Sequence, residues 1–246
     1  MPRVIASIEA RMASSRLPGK VMMDVHGRPV IARIVDRLRQ CRRIHGIVIA
    51  TTTNSTDDVL STWSEAAGVT CHRGSDRDVL ERVVDAQHSM NSDIVVEVCG
   101  DTPLLDPGVI DRAVETFLDD DCDVVSNTWT PSFPQGIDAQ VFRLSALEDV
   151  AATIDDPAVR EHVSLYFYEH PERYRIHHLT APPKWQAPEL RLQLDYAEDL
   201  SFITRIYQRL EPAHGGTFGI DRVLELLARE PALAEINRHC RERPAR

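Results

Sequence analysis

The sequence of 246 residues predicts an α/β protein with a doubly wound, mostly parallel sheet. Short, largely apolar runs such as Val4–Ile8, Gly46–Thr51 and Asp93–Val98 alternate with longer amphipathic segments. These runs lack the in-out alternation of a half-exposed strand, which indicates that helices cover both faces of the sheet. The alternation begins with the first residues, so residues 1–129 are predicted to form a doubly wound core.

The core is predicted to contain five strands, at Val4–Ile8, Gly46–Thr51, Val69–His72, Asp93–Val98 and Cys122–Ser126. Amphipathic spacing predicts four helices between them, at Val30–Arg39, Thr56–Ala67, Asp78–Met90 and Pro107–Leu118. The whole chain, 1–246, is therefore expected to be one domain built on this core.

The sequence pattern changes after Trp129, where proline-rich segments interrupt the alternation of strands and helices. Proline-rich breaks at Thr130–Pro134 and Pro182–Pro183 bound residues 130–189, which we expect to form a small inserted lobe. This lobe is predicted to hold strands Gln140–Phe142 and Tyr174–Leu179 and helices Ser145–Thr153 and Val159–His170. Residues 190–246 are predicted to return to the core as strand Leu190–Asp195 and helices Ala197–Leu210, Ile220–Arg229 and Ala232–Arg241.

Composition excludes several classes of function. The net charge of −10 argues against nonspecific binding to nucleic acid or to anionic membranes. The chain has no apolar run of membrane-spanning length, and its start leads into a strand without the pattern of a signal peptide. The five cysteines are widely spaced and contain no Cys-x-x-Cys pair, which argues against disulfides or a zinc knuckle. We therefore expect a cytoplasmic protein.

A purely basic loop follows the first strand of this acidic chain. It carries Arg11, Arg16 and Lys20 and has no acidic residue between Ala10 and Met23. In open α/β sheets ligands bind beyond the carboxyl ends of the strands, where this loop lies. Guanidinium groups bind phosphate oxygens in pairs, and Gly19 allows the backbone to approach a ligand closely. The loop is thus a candidate phosphate site, although a solvated basic turn fits its composition equally well.

Two aspartates lie at predicted strand ends. Asp101 follows the buried strand Asp93–Val98, and Asp195 ends the strand Leu190–Asp195. Carboxylates in such positions suit Mg²⁺, which prefers oxygen ligands. A single aspartate at a strand end is more often a helix cap. Asp106 before Pro107 is interpreted as such a cap.

The loop Arg11-Met-Ala-Ser-Ser-Arg-Leu-Pro-Gly-Lys20 resembles the signature of the sugar-acid cytidylyltransferases, which make CMP-activated Kdo and sialic acids. Further matching blocks follow in the same order along nearly the whole chain, at Ala50–Asn54, Arg73–Leu80, Gly100–Pro107, Phe133–Asp138, Arg160–Val163 and Leu194–Leu200. Among these proteins the sequence is most similar to the branch of the spore-coat polysaccharide cytidylyltransferases. Glu9 departs from the glutamine that is common there, and Gln140 stands where an acid is common.

The resemblance implies a Rossmann-like, GT-A-like nucleotidyltransferase core and a homodimer formed through the inserted lobe. It also implies transfer of CMP from CTP to a small acidic acceptor, a sugar acid or a phosphonate. Lys20, Arg11, Asp101 and Asp195 would be catalytic, with Mg²⁺ bound by the two aspartates. Contacts to the nucleotide are expected from Ala10, Arg11, Ser14, Arg16, Gly19, Lys20, Arg73 and Ser75. Contacts to the acceptor are expected from Gln135, Asp138, Arg160, His162 and Arg191.

Three other functions fit the same residues. A glycosyltransferase would consume a preformed nucleotide sugar and release no pyrophosphate from CTP. A related nucleotidyltransferase would prefer another nucleoside triphosphate. A non-catalytic module would bind nucleotide without turnover. An assay of pyrophosphate release with each of the four nucleotides separates these possibilities.

Overall fold

The computed structural model describes residues 2–241. Its central element is a buried sheet of seven strands. The spatial order of the strands is β5-β4-β1-β6-β8-β7-β9. Their bounds are β1 Val4–Glu9, β4 Gly46–Thr52, β5 Thr70–Gly74, β6 Ile94–Cys99, β7 Val124–Ser126, β8 Gln140–Arg143 and β9 Ile176–His178. A separate hairpin pairs β2 Asp24–Val25 with β3 Arg28–Pro29. The pairs β1–β4, β1–β6, β4–β5 and β7–β9 are parallel, and β8 is antiparallel to both of its neighbours.

Helices cover both faces of the sheet, and the predicted α/β fold class is confirmed. Their bounds are α1 Val30–Leu38, α2 Asp58–Ala67, α3 Val79–Ser89, α4 Pro107–Asp119, α5 Leu144–Thr153, α6 Pro157–Glu161, α7 Leu165–Glu169, α8 Ala197–His214 and α9 Ile220–Arg229. Short 3-10 turns occur at Lys20–Met22, Ser55–Asp57, Pro183–Trp185 and Pro231–Leu233. Within residues 2–241, no helix is both long enough and apolar enough to cross a lipid bilayer.

Strand β1, between β4 and β6, lies at the centre of the hydrophobic core. Val4, Ile5, Ala6 and Ile8 of β1 are almost completely buried. Because β1 is enclosed on both faces, its sequence is apolar without alternation. Asp106 caps α4 as predicted, since its carboxylate accepts hydrogen bonds from the Gly108 and Val109 backbone. The core thereby holds the carboxyl ends of β1 and β6 in fixed positions.

Residues 130–189 contribute β8 and β9 to the main sheet, beside β6 and β7. Their helices α5, α6 and α7 form a second buried cluster with α3. The segment therefore shares the sheet of residues 1–129. Met1 and residues 242–246 of the predicted single domain lie outside the described residues.

Three predicted elements were wrong. The segment Val159–His170 is two short helices, because the backbone is extended at His162 and this places Val163 in the core. Leu190–Asp195 forms a single isolated bridge, between Arg191 and Gln135, and further along the segment the Leu194 backbone donates to the Asp101 carbonyl.

The predicted helix Ala232–Arg241 is a series of turns after the 3-10 turn Pro231–Leu233. Asn237 explains the difference. It is buried, and its amide donates hydrogen bonds to the Arg191 carbonyl and the Asp199 carboxylate. These tertiary contacts hold the local backbone in turns, although its sequence has helical periodicity.

Candidate active site

The basic loop leaves the carboxyl end of β1 and closes on itself. The Gly19 backbone donates to the Met12 carbonyl at 2.8 Å, and Gly19 has a φ of +76°, in the left-handed region that favours glycine. The Met12 backbone in turn donates to Asp57 Oδ1 at 2.7 Å. The loop is therefore anchored at both ends, and its turn places Lys20 at the edge of the sheet.

Lys20 joins the two predicted metal ligands. Its Nζ lies 2.7 Å from Asp101 Oδ2, 2.8 Å from Asp195 Oδ1 and 3.0 Å from the Leu194 carbonyl oxygen. The Arg16 guanidinium lies 2.6 Å from the same Asp195 oxygen. Lys20 is 81 positions from Asp101 and 175 positions from Asp195 in the chain, and the fold brings their charges into direct contact.

Burial and charge act in opposite directions on this cluster. Burial favours the uncharged form of Lys20, but the carboxylates of Asp101 and Asp195 outweigh it and raise the lysine pKa. Burial likewise favours the protonated form of Asp195, whereas Lys20, Arg191 and Arg16 outweigh it and lower the carboxyl pKa. Near neutral pH Lys20 and Asp195 therefore both carry their charge in a partly buried environment.

Asp195 is held from behind by a buried network. Arg191 donates to Asp195 Oδ2 at 2.8 Å and to Asp199 Oδ1 at 3.1 Å, and its side chain is 4% exposed. Asp199 also accepts hydrogen bonds from the backbone N–H groups of Asp195 and Tyr196. The Arg191 guanidinium is buried and pairs with these two carboxylates, and its predicted contact to an acceptor stays untested.

We expect Arg191→Met to destabilise the fold by about 3–5 kcal/mol, since the substitution removes the cation that pairs with the buried carboxylate of Asp199. Urea denaturation monitored by circular dichroism measures the change. Arg222→Met is the matched control: Arg222 pairs with Glu225 at 2.7 Å, but both side chains are about half exposed, and the expected cost is below about 1 kcal/mol. Equal losses in the two variants would contradict a stabilising role for the network.

Two adjoining cavities open at the strand ends. The first, here named the basic-loop cavity, has a volume of about 500 Å³ and is lined by loop residues that include Ala10, Arg11, Ser14, Arg16 and Lys20. The second, named the acidic cavity, has a volume of about 580 Å³. They share walls at Glu9, Cys99, Glu161, His162 and Gln193. A molecule in one cavity is therefore in reach of a molecule in the other.

Other predicted nucleotide contacts lie outside these walls. The Arg73 guanidinium donates to the carbonyls of Thr52 and Asn54 and pairs with Asp58. Ser75 Oγ accepts a hydrogen bond from the Asp78 backbone just before α3. In the structure both residues stabilise local backbone, and their predicted contacts to a nucleotide stay untested.

The predicted acceptor residues separate into two groups. Asp138 and His162 line the acidic cavity. Gln135 and Arg191 line a different cavity, next to the C-terminal turns. Arg160 donates to the carbonyls of Ile154 and Ala151 and pairs with Asp78. Arg160 thus joins α6 to the C-terminal end of α5 and to the start of α3, and its predicted contact to an acceptor stays untested.

The structure adds residues that sequence reasoning missed. Arg82 lines the basic-loop cavity and is 2% exposed, and its Nε is buried without a hydrogen-bond partner. Glu97 and Gln193 line the acidic cavity. Arg82 lies on the buried side of α3. A charged residue at a position where the helical periodicity predicts an apolar one could have indicated a site. Glu97 is likewise an acid inside a buried strand, which is unusual unless the carboxyl group is paired.

Glu9 and Glu97 form a carboxyl pair across β1 and β6. An oxygen of each, together with Cys99 Sγ, lies within 4.8 Å of the others. Burial raises the pKa of Glu9 from 4.5 to about 7, with Arg82 opposing the shift. Burial and the neighbouring Glu9 raise the pKa of Glu97 well above its ordinary value. The pair therefore holds its protons to a higher pH than exposed glutamates do.

This pKa shift predicts a stability effect that depends on pH. The raised pKa means that the folded state binds more protons than the unfolded state between about pH 4.5 and about pH 7, so Glu9 costs stability as the pH rises through this range. We expect Glu9→Gln to remove that cost. Thermal denaturation should show a larger gain in Tm over the wild type near pH 8 than near pH 5, at about 2–4 °C per kcal/mol. A pH-independent difference would contradict the shift.

Asp101 meets a requirement for a metal ligand. Its Oδ1 is buried and has no hydrogen-bond partner, while Oδ2 binds Lys20. A free carboxylate oxygen beside a second carboxylate, that of Asp195, is a donor set that suits a hard divalent cation. Gly100 permits the close approach of this turn to β1, because a Cβ there would lie 2.7 Å from the Glu9 carbonyl oxygen. The residues present thus fit Mg²⁺.

The mostly parallel sheet, with cations against paired carboxylates at its strand ends, defines a Rossmann-like nucleotidyltransferase fold. A family model described as Cytidylyltransferase matches residues 5–212. The chain belongs to this cytidylyltransferase family.

Relatives and a solved structure support the assignment. The spore coat polysaccharide biosynthesis protein SpsF of Bacillus subtilis is 33% identical over 85% of this chain and 88% of its own length. A 3-deoxy-manno-octulosonate cytidylyltransferase of Chlorobium chlorochromatii is 31% identical over 72% of this chain and 67% of its own. The structure of a cytidylyltransferase from Leptospira borgpetersenii superposes with a TM-score of 0.90, at 27% identity over 95% and 97% of the two chains. The resemblance to the Kdo and spore-coat branches is confirmed.

Proposed function

We propose that this protein transfers CMP from CTP to a small acidic acceptor, a sugar acid or a phosphonate, and releases pyrophosphate. The observation that carries the proposal is the contact of Lys20 with both Asp101 and Asp195 at the end of the basic loop. The contact joins phosphate-binding cations to candidate metal ligands at one point. Membership of the cytidylyltransferase family makes CTP the expected nucleotide.

The reaction is an in-line displacement at the α-phosphorus of CTP. An acceptor oxygen forms a new bond to phosphorus, and the bond from phosphorus to the oxygen that bridges to the β-phosphate breaks. The electron pair leaves with pyrophosphate. A phosphonate attacks through an oxygen that is already ionised near neutral pH and needs little help from a general base, whereas a sugar acid that attacks through a hydroxyl group gives up its proton to a base or to water. Catalysis therefore depends chiefly on positioning and on neutralising the charge of the phosphates.

Each part of the site has a distinct task in this proposal. Asp101 and Asp195 would hold Mg²⁺, which supplies charge neutralisation at the phosphate oxygens when it is bound. Lys20 and Arg16 stabilise the negative charge that develops on the departing pyrophosphate. Arg11 is held at the shared wall of the two cavities by Glu161, at 2.7 Å. It is therefore placed between the triphosphate and the acceptor.

The acceptor is assigned to the acidic cavity. This cavity adjoins the basic-loop cavity over a common wall that includes Glu9, His162 and Gln193. A nucleotide and an acceptor can thus occupy separate cavities while their reacting atoms meet between them. We further propose that the protein acts in the cytoplasm as a homodimer. Size-exclusion chromatography with light scattering tests the dimer, and a monomer at micromolar concentration would contradict it.

The test of the proposal is an assay of pyrophosphate release from CTP and Mg²⁺ against a panel of acidic acceptors. We expect release that requires CTP, the metal and an acceptor together, and a product that contains CMP by mass spectrometry. ATP, GTP and UTP serve as controls. Calorimetric titration with CTP provides a second readout. Absence of CTP binding, or equal turnover with all four nucleotides, would overturn the proposed nucleotide specificity.

A further inference from the structure

The acidic cavity has a charge opposite to that of its neighbour. Its wall carries four carboxyl groups, those of Glu9, Glu97, Asp138 and Glu161. No lysine or arginine is among its lining residues, all of which belong to the described part of the chain. Glu161 is paired with Arg11. Glu9 and Glu97 meet at the carboxyl ends of two adjacent central strands, where the sheet fixes their backbone.

The Glu9–Glu97 pair has hydrogen-bonding capacity that the protein does not satisfy. Oε1 of Glu9 is buried and has no hydrogen-bond partner. Glu97 is 6% exposed, and the hydrogen bond to its Oε2 comes from a neutral amide, that of Gln140, at 2.8 Å. An unsatisfied buried carboxylate oxygen is unfavourable, which makes it a strong acceptor for a donor group brought by a ligand.

Glu97 is also fixed in orientation. The Tyr168 hydroxyl donates to Oε1 of Gln140, and the amide of Gln140 donates to Glu97. The Tyr168 hydroxyl further bonds to the hydroxyls of Ser126 and Thr128. Such a chain holds the carboxyl group in place before a ligand arrives, which reduces the ordering that binding requires. The hydrogen-bond chain thus orients the Glu97 carboxyl group toward the acidic cavity, and burial alone would not fix that orientation.

We propose that the acceptor carries a protonated amino group, which the carboxyl groups of Glu9 and Glu97 bind inside the acidic cavity. The inference rests on the proposed CMP transfer, because it assigns the acceptor to this cavity. An ammonium ion donates up to three hydrogen bonds and has the charge opposite to that of the pair. Its arrival allows both carboxyl groups to ionise. A second anionic group at this position would instead meet an acidic wall with no lysine or arginine among its lining residues.

The acceptor would therefore be zwitterionic. Its acidic oxygen faces the basic loop, where Arg11 and Lys20 lie, and its amino group faces the Glu9–Glu97 pair. The two cavities have opposite charge and meet at a shared wall. A molecule with separated charges of this kind can enter in one orientation only, which places the acidic oxygen toward the nucleotide.

Matched pairs of acceptors test the inference. Each pair differs only in the amino group, as in an aminoalkylphosphonate and the alkylphosphonate of equal length, or an amino sugar acid and its N-acetylated form. We expect kcat/KM for pyrophosphate release to be about 10- to 100-fold higher for the amino member. In Glu97→Gln this ratio should fall to about 1–3, with the KM for CTP unchanged, because Glu97 lines the acidic cavity and does not line the basic-loop cavity.

The controls keep the test decisive. Glu65→Gln changes an exposed carboxyl group on α2 and should leave the ratio unchanged. Glu9→Gln is a second variant of the pair, should Glu97→Gln fail to fold. If no acceptor reacts, calorimetric titration of the same pairs in the presence of CTP replaces turnover, and equal or absent affinities count against the amino group.

The two proposals fail in different ways. Equal rates within each pair of acceptors would contradict the inferred amino group of the acceptor. Pyrophosphate release in the same assay would still support CMP transfer. Loss of CTP binding as well would overturn the proposed function itself. A tightly bound transition metal, found by elemental analysis of the wild type and lost in Glu97→Gln, would assign the Glu9–Glu97–Cys99 cluster to a metal and overturn the inference.

Discussion

Asp101→Asn is expected to lower kcat/KM for pyrophosphate release by on the order of 10³-fold. The substitution keeps the size of the side chain but replaces a carboxylate oxygen, buried and without a partner at Oδ1, by a neutral amide. A neutral amide is a weaker ligand for Mg²⁺ and leaves the positive charge of Lys20 and Arg16 balanced by Asp195 alone. Initial rates measured over a range of Mg²⁺ concentrations should show a higher concentration for half-saturation.

Asp119→Asn provides the matched control for this variant. Asp119 is exposed at the last residue of α4. Its replacement makes the same chemical change on the surface, and we expect rates within about twofold of the wild type, since such substitutions have small effects. Wild-type activity in Asp101→Asn, with CTP still bound, would refute the assignment of Asp101 to the metal.

Lys20→Met is expected to lower kcat by about 10²- to 10³-fold, because the charge on the departing pyrophosphate loses a positioned cation. The structure adds an effect of opposite sign. Lys20 Nζ lies between Asp101 and Asp195, where it competes with a divalent cation for both carboxylates. Half-saturation with Mg²⁺ should therefore occur at a lower concentration in the variant. Calorimetric titration with Mg²⁺ measures this affinity independently of turnover.

Lys184 offers a control for Lys20, since these two are the lysines of the sequence. Its side chain is 62% exposed and pairs with Asp221 on the surface. We expect Lys184→Met to retain both the rate and the affinity for Mg²⁺. If Lys20→Met lowers kcat and weakens metal binding together, Lys20 organises the two carboxylates and does not compete with the metal.

Periodicity predicted most of the fold, and it failed where tertiary contacts control the backbone. The strands of the core are predicted to within two residues at each end, because buried apolar runs determine them directly. The segment Ala232–Arg241 has helical spacing but forms turns, since buried Asn237 bonds to Arg191 and Asp199. The antiparallel strand β8 lies between β6 and β7, a pairing that its own residues do not specify.

The basic loop and Asp101 were found from the sequence because each follows a strand, β1 and β6 respectively, whereas the segment that ends at Asp195 forms a single bridge. Strand ends of a parallel sheet meet at one edge, so position in the chain implies position in space. Arg191 has surroundings that the sequence did not predict. Its predicted strand would direct the side chain away from the apolar face, whereas the segment makes a single bridge and Arg191 points into a buried network.

The sequence by itself determined the fold class, the family and the identity of the loop cations and strand-end acids. These follow from local properties, namely periodicity, charge and motif order. Only the tertiary structure decided that Glu9 and Glu97 form a carboxyl pair and that the cavity beside the basic loop is acidic. The physical reason is that burial and pairing between β1 and β6 are long-range effects, and they alter the protonation of a carboxyl group without leaving a pattern in the neighbouring residues.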